Sequence, residues 1–227
     1  MYFLQVLLAL LLFPICAKAQ SNLIERIQNV QPSLVGVKTV YAKVLHAPSA
    51  GDKMVTYERW GTGLVIDPAG LVVTNTHIII NAPHIFVVFS DGTQLPAEVA
   101  YVNTGHDFSF LKVAPSRALN PVQWADSSQA QLGQAVVAMG NSDLNNQSIL
   151  SGEVTRLLQS QSTGAVEFIE VNLNLYRGDS GGPILDHTGR LLGMIMAKNK
   201  SEERAGLAIA SDRIREQYLI YKRNHSS

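Results

Sequence analysis

A succession of short apolar runs, rich in valine, isoleucine and leucine and punctuated by turn signals, does most to narrow what this chain can fold into. Branching at Cβ crowds a helix but suits a pleated surface. Leu34–Tyr41 is the first such run. Gly63–Ile66 is followed by Asp67-Pro68-Ala69-Gly70 and then Leu71–Thr74, and Ile85–Phe89 runs into Ser90-Asp91-Gly92-Thr93, a hairpin signal. Ala97–Val102 and Phe108–Val113 follow. The second half repeats the style at Ala135–Met139, Ser148–Leu158, Val166–Val171, Pro183–Leu185, Leu191–Ala197 and Gly206–Ile209. Such spacing predicts an all-β sandwich or barrel.

Two helices are expected beside the strands. One is short, Leu23–Val30; the other is Asp212–Tyr221, capped by Ser211, with Lys222 and Arg223 suited to its negative end. Ser116–Ala130, with Pro121, reads as the connection between halves. Residues 42–60 carry Pro48, Gly51 and several charges and read as a mobile surface loop.

Residues 1–19 differ from the rest. Val6–Ile15 is almost wholly apolar but too short for a membrane span, and Ala17-Lys18-Ala19 has the small-x-small pattern of a signal-peptidase site. Cleavage after Ala19 predicts an exported protein, periplasmic or secreted, with no stable membrane anchor. It also removes Cys16, the single cysteine, so the mature domain depends on its core alone. The formal charge of the whole chain is zero, which gives no pointer to nucleic acid. Histidines and cysteine show no metal-ligand spacing, and no metal or cofactor is expected. Sequons begin at Asn146, Asn199 and Asn224 and carry little weight.

Tyr176-Arg177-Gly178-Asp179-Ser180-Gly181-Gly182-Pro183 sets a serine among three glycines, which cost backbone entropy on folding. A nucleophilic serine needs such a sharp turn, with N–H groups converging on a developing oxyanion. It also needs a base, and the base an orienting carboxylate. His77 follows the strand Leu71–Thr74, and Asp107 precedes the strand Phe108–Val113. His106 is expected at the surface, His46 and His84 in loops, His187 in a turn and His225 in the tail.

Here the chain resembles the trypsin-like serine proteases, specifically the HtrA (Deg) type. The resemblance rests on Gly61–Ile66 with Leu71–His77, on His106–Val113, on Gly140-Asn141-Ser142 with Ser151–Thr155, on Gly178–Pro183 and on Gly206–Ala210, in one order over residues 23–222. It implies two perpendicular six-stranded β-barrels with the active site in the cleft between them. The N-terminal barrel would span about residues 31–115, the C-terminal one about 121–210 and the last helix 211–223, all within a protease domain of residues 20–227. It implies His77 as general base, Asp107 as its orienter and Ser180 as nucleophile. The oxyanion hole would comprise the N–H groups of Gly178 and Ser180, with that of Asp179 nearby.

Several departures from the family pattern qualify these roles. The HtrA type commonly has asparagine where Asp179 stands. Digestive relatives have aspartate there, paired with a new N-terminus that a chain starting at Gln20 lacks. Asn174 occupies the position where Lys- or Arg-selective relatives carry aspartate. A substrate pocket of Asn174, Leu175 and Met196 is therefore expected to take small or medium aliphatic side chains. The PDZ module usual in the family is not expected after the last helix. Trimers are common in the family, but residues 20–40 hold no aromatic anchor, so homo-oligomerisation stays open. The leading expectation is an endopeptidase acting on unfolded or exposed polypeptide through an acyl-enzyme. The alternative is a latent or inactive protease-fold binding protein whose oxyanion loop a partner orders. An α/β-hydrolase esterase is disfavoured by the order His, Asp, Ser.

Overall fold

The computed structural model describes residues 27–47, 51–141, 147–198 and 205–225. The proposed signal segment 1–19, residues 23–26 of the expected first helix, Ser142 of the Gly140-Asn141-Ser142 motif and the sequons at Asn146 and Asn199 lie outside them.

Residues 27–30 are helical and run into a 3-10 turn at Gln31–Ser33. The first half then forms β1 (Leu34–Ala47), β2 (Gly51–Asp67), β3 (Leu71–Thr74), β4 (His84–Val88), β5 (Gln94–Pro96), β6 (Glu98–Asn103) and β7 (Phe108–Lys112), with the one-turn helix α1 (Thr76–Ile79) after β3. These strands make one seven-stranded antiparallel sheet in the order β5-β4-β1-β2-β3-β7-β6. Its two edge strands, β5 and β6, are separated in sequence by Ala97 alone, whose N–H donates to the Ile85 carbonyl at 2.9 Å. The sheet must therefore curl until its edges nearly meet. It is a half-barrel, which replaces the closed six-stranded barrel expected for this half.

The second half contributes β8 (Ala135–Asn141), β9 (Gln147–Gln159), β10 (Val166–Val171), β11 (Pro183–Leu185), β12 (Leu191–Lys198) and β13 (Gly206–Ala210). They close into a six-stranded barrel in the order β10-β13-β12-β11-β8-β9. The link between halves runs alongside the start of β12, where Ala125 N–H donates to the Leu191 carbonyl at 2.9 Å and Leu191 N–H to the Gln123 carbonyl at 2.7 Å.

One core runs through both halves. Leu34, Leu64, Val73, Phe108 and Phe110 from the sheet pack with Met139, Leu185, Met194 and Ile209 from the barrel. Burial of these side chains is worth about 1.5–3 kcal/mol apiece, so the two halves are held against each other by the strongest term available.

The C-terminal helix α2 (Ser211–His225) straps the halves together. Ile214 is fully buried. Tyr218 donates its hydroxyl to Asp67 Oδ2 at 2.7 Å, and Lys222 Nζ stands 3.0 Å from the same oxygen. Burial pulls Asp67 towards protonation. The Ala69 N–H, the Tyr218 hydroxyl and the Lys222 ammonium outweigh it and hold the carboxyl below its usual range. Ser211 does not cap the helix as expected: it is buried and donates its hydroxyl to the Ala125 carbonyl at 3.2 Å. Ser127 Oγ instead accepts the Asp212 N–H at 3.1 Å, while the Asp212 carboxylate accepts from Ser127 Oγ at 2.9 Å and Ser128 N–H at 3.1 Å.

The largest correction concerns residues 42–60. Apart from 48–50, which are not described, they are not a loop but the outer part of a two-stranded ribbon, in which β1 and β2 pair continuously from Leu34↔Leu64 to Ala47↔Gly51. Tyr41 and Tyr57 stack across it with ring centroids 5.2 Å apart. His46 and His84 accordingly lie on strands β1 and β4 rather than in loops.

Candidate active site

The site sits where the half-barrel meets the barrel. His77 is in α1, a turn that the chain makes as soon as β3 ends. Gly61 lets that turn settle onto β2, because a Cβ there would run into the Ile78 side chain. Asp107 stands just before β7 with φ of 55°, a left-handed conformation that Asp and Asn tolerate better than most residues. Its carbonyl is held from two sides, by Asn75 Nδ2 at 2.9 Å and Thr76 N–H at 3.2 Å. Asn75 is itself fully buried.

These anchors aim the Asp107 carboxylate at His77 with both oxygens. Oδ1 accepts the His77 backbone N–H at 2.9 Å, and Oδ2 lies 2.6 Å from Nδ1. A carboxylate only accepts, so Nδ1 carries the proton and Nε2 is left as an acceptor. The His77 side chain is 48 % exposed. Its ring is thus fixed by its far edge while its near edge opens onto the cleft.

Ser180 is carried by a loop wedged between the halves. Gly181 has φ of 86°, and a Cβ there would overlap the Thr62 carbonyl of β2. At Gly182 a Cβ would overlap the Met139 carbonyl of β8. Thr62, fully buried, clamps the loop: its N–H donates to the Ser180 carbonyl at 2.8 Å and its hydroxyl to the Gly178 carbonyl at 2.7 Å. Thr74 Oγ1 in turn donates to the Thr62 carbonyl at 2.7 Å.

The N–H groups of Gly178 and Ser180 donate to no described residue, whereas that of Asp179 is engaged with the Tyr176 carbonyl at 3.2 Å. Asp179 is buried, 2 % exposed, and its carboxylate takes the Ser148 hydroxyl on one oxygen and the Tyr176 N–H, at 2.7 Å, on the other. No described cation pairs with it. Neutral donors hold this carboxylate where digestive relatives use an N-terminus, and Gly140 makes room for it.

The Ser180 hydroxyl donates to the Met196 carbonyl at 3.3 Å. Met196 falls at an irregularity of β12, skipped in the register that joins Ile195↔Ala208 to Ala197↔Leu207. His77, Ser180 and Gly178 share a groove of about 620 Å³ whose other walls are Arg59, Trp60, Ile78 and Arg177.

None of the three expected pocket residues is among these walls. Leu175 is 5 % exposed and belongs to the barrel core, packed against Gly206. A one-residue step along this segment decides inside from outside, and Leu175 faces in. Asn174 is exposed and donates its amide to the Tyr176 hydroxyl at 2.8 Å. Met196 is half-buried against the shared core and offers only its carbonyl to Ser180. His106 is not a plain surface residue: its ring stacks on Phe168, centroids 5.6 Å apart, across the junction of the halves. Sequence reasoning missed the clamp at Thr62 and the groove walls Arg59, Trp60 and Arg177, although Thr62 and Arg177 lie within motifs it singled out and Arg59 and Trp60 directly precede one.

Residues 61–194 match the family described as trypsin-like peptidase domain. The chain belongs to that family. A relative from Bartonella henselae, described as a probable periplasmic serine endoprotease DegP-like, is 33% identical over 136 residues, covering 60% of this chain and 27% of its own. The periplasmic serine endoprotease DegP of Salmonella typhimurium is 30% identical over 171 residues, 73% of this chain and 36% of its own. The chain therefore spans about a third or less of the length of these relatives. A solved structure titled HtrA-type protease AlgW with decapeptide superimposes with a TM-score of 0.72 at 21% identity, covering 86% of this chain and 66% of that one. The fold is thus the trypsin-like one that the motifs pointed to. Among the described residues no group of His, Cys, Asp and Glu is arranged to hold a metal, and no helix is long and apolar enough to cross a membrane.

Proposed function

We propose that this domain is a serine endopeptidase that cleaves unfolded or exposed polypeptide in the periplasm or outside the cell. The observation that carries the reading is the double grip of Asp107 on His77, 2.6 Å at the ring and 2.9 Å at the backbone, in the groove that also holds Ser180.

In this reading Ser180 Oγ attacks the scissile carbonyl carbon as its proton passes to His77 Nε2. The carbonyl oxygen becomes an oxyanion received by the N–H groups of Gly178 and Ser180; donors of this type are worth about 10²–10³ in rate. The C–N bond then breaks, and the amine leaves with the proton from Nε2. Water repeats the sequence on the acyl-enzyme, releasing the acid and restoring Ser180. Asp107 holds the tautomer throughout. The periplasmic DegP relatives and the leader-like residues 1–19 support the location.

The bond from Ser180 to Met196 favours a second reading, a resting enzyme whose nucleophile is turned from its base until substrate arrives. A peptide laid along β12 would offer its own N–H to the Met196 carbonyl and free the hydroxyl. The test is labelling of folded, purified protein by a fluorophosphonate, with Ser180→Ala as control. Wild-type labelling is expected, and its acceleration by an unfolded protein would identify the resting state. No labelling in either condition would overturn the endopeptidase reading.

A further inference from the structure

The groove beside the nucleophile has a sign. Two of its walls, Arg59 and Arg177, are exposed guanidinium groups, and neither forms an ion pair with a described carboxylate. Other cations nearby are matched: Lys38, on the neighbouring strand, lies 3.6 Å from Glu58. Arg59 is also ordered in advance. Its guanidinium lies 5.1 Å from the centroid of Tyr41 and 5.8 Å from that of Tyr57, the pair that stacks across the ribbon. Such aromatic support holds a planar cation while leaving its in-plane donors for a carboxylate.

Chemistry tells which part of a substrate occupies this groove. The base that takes the serine proton must give it to the departing amine, so the departing segment leaves past His77. The groove is walled by His77, Ile78, Arg59, Trp60 and Arg177 together with Gly178 and Ser180, so it lies on the side past which that segment leaves. It therefore faces the residues that follow the scissile bond.

We propose that Arg59 and Arg177 form a subsite for an acidic side chain at the first or second position after the scissile bond, with Trp60 as its apolar wall. The proposal rests on the endopeptidase reading and adds a substrate class to it: segments whose cleavage exposes a new N-terminus at or next to Asp or Glu. An exposed ion pair contributes about 0.2–1 kcal/mol. Two acting together give roughly a two- to thirtyfold preference for Glu over Gln at that position.

The experiment uses quenched fluorescent peptides identical except for Glu, Gln or Lys at each of those two positions, with wild type, Arg59→Gln, Arg177→Gln and the charge reversal Arg177→Glu. The expected order of kcat/KM in wild type is Glu, then Gln, then Lys, with the spread narrowed by high salt. Each Gln variant should shrink the Glu-to-Lys ratio, and Arg177→Glu should move it towards Lys, a gain that misfolding cannot imitate. Wild-type labelling by the fluorophosphonate together with equal rates for Glu and Lys peptides would overturn the subsite alone. A preference unchanged in Arg177→Glu and Arg59→Gln would also overturn it. Absence of labelling would remove the endopeptidase reading and the subsite with it.

Discussion

Replacing Asp107 with asparagine removes one charge and almost no volume. Asparagine tolerates the left-handed conformation at φ of 55°, and its Oδ1 can keep the 2.9 Å bond from the His77 N–H. What changes is the second contact. An amide nitrogen at the Oδ2 position donates, so Nδ1, 2.6 Å away, must become the acceptor and the ring proton must move to Nε2. Nε2 then has no lone pair for the serine proton. A wrong tautomer in an otherwise intact triad costs about 10⁴ in kcat, or about 5.4 kcal/mol at 1.36 kcal/mol per tenfold. Stability should move by less than about 1 kcal/mol, because the Asp107 side chain is still 25 % exposed and one hydrogen bond survives. Asp107→Ala should lose both activity and stability, the latter by about 1–2 kcal/mol for left-handed backbone without a side chain suited to it. Peptide cleavage rates set beside thermal unfolding of the two variants decide the matter. A loss of less than tenfold in a folded Asp107→Asn protein would refute the tautomer argument.

Three further outcomes follow from contacts described above. Thr62→Val removes the hydroxyl that holds the Gly178 carbonyl at 2.7 Å; unfolding free energy should fall by about 1–2 kcal/mol and fluorophosphonate labelling should slow roughly tenfold, and unchanged labelling would mean that Thr62 is no clamp. Gly181→Ala should cost about 3 kcal/mol through its positive φ and the overlap with Thr62, measured by denaturant titration, and a neutral result would contradict the wedge geometry. Asp67 has a folded pKa below its ordinary 3.8, so its contribution is full above that value and is lost as pH falls through the lower folded value; the gap in melting temperature between wild type and Asp67→Asn should be present near neutrality and close in strong acid, and a gap that widens there would reverse the assignment.

The strands whose side chains alternate or run apolar, such as Leu71–Thr74 and Phe108–Lys112, were legible because burial imposes a pattern on the letters. His77, Asp107 and Ser180 stood out in the sequence because each stands at the end of such a strand or within a glycine-framed turn; the fold joins Asp107 to His77 and sets His77 and Ser180 in one groove, while their catalytic roles belong to the proposal. The outer ribbon was not. Both of its faces meet water, as the exposure of Val44, Met54 and Tyr57 illustrates, and a strand pair without a buried face leaves no alternation to read. Leu175 defeated inference for a related reason: in Leu173-Asn174-Leu175-Tyr176 both leucines turn inward, and only the fold says which cavity or core they face. Arg59 and Arg177 are far apart in sequence, so their meeting in one groove is a property of topology alone.

Gly181 presses on a carbonyl from one half of the molecule and Gly182 on a carbonyl from the other. The loop that carries Ser180 therefore takes its shape only where both halves already stand in place, much as a lock needs two keys turned at once. On the endopeptidase reading proposed above, reactivity at Ser180 would therefore arrive last in folding, after both halves have closed on its loop.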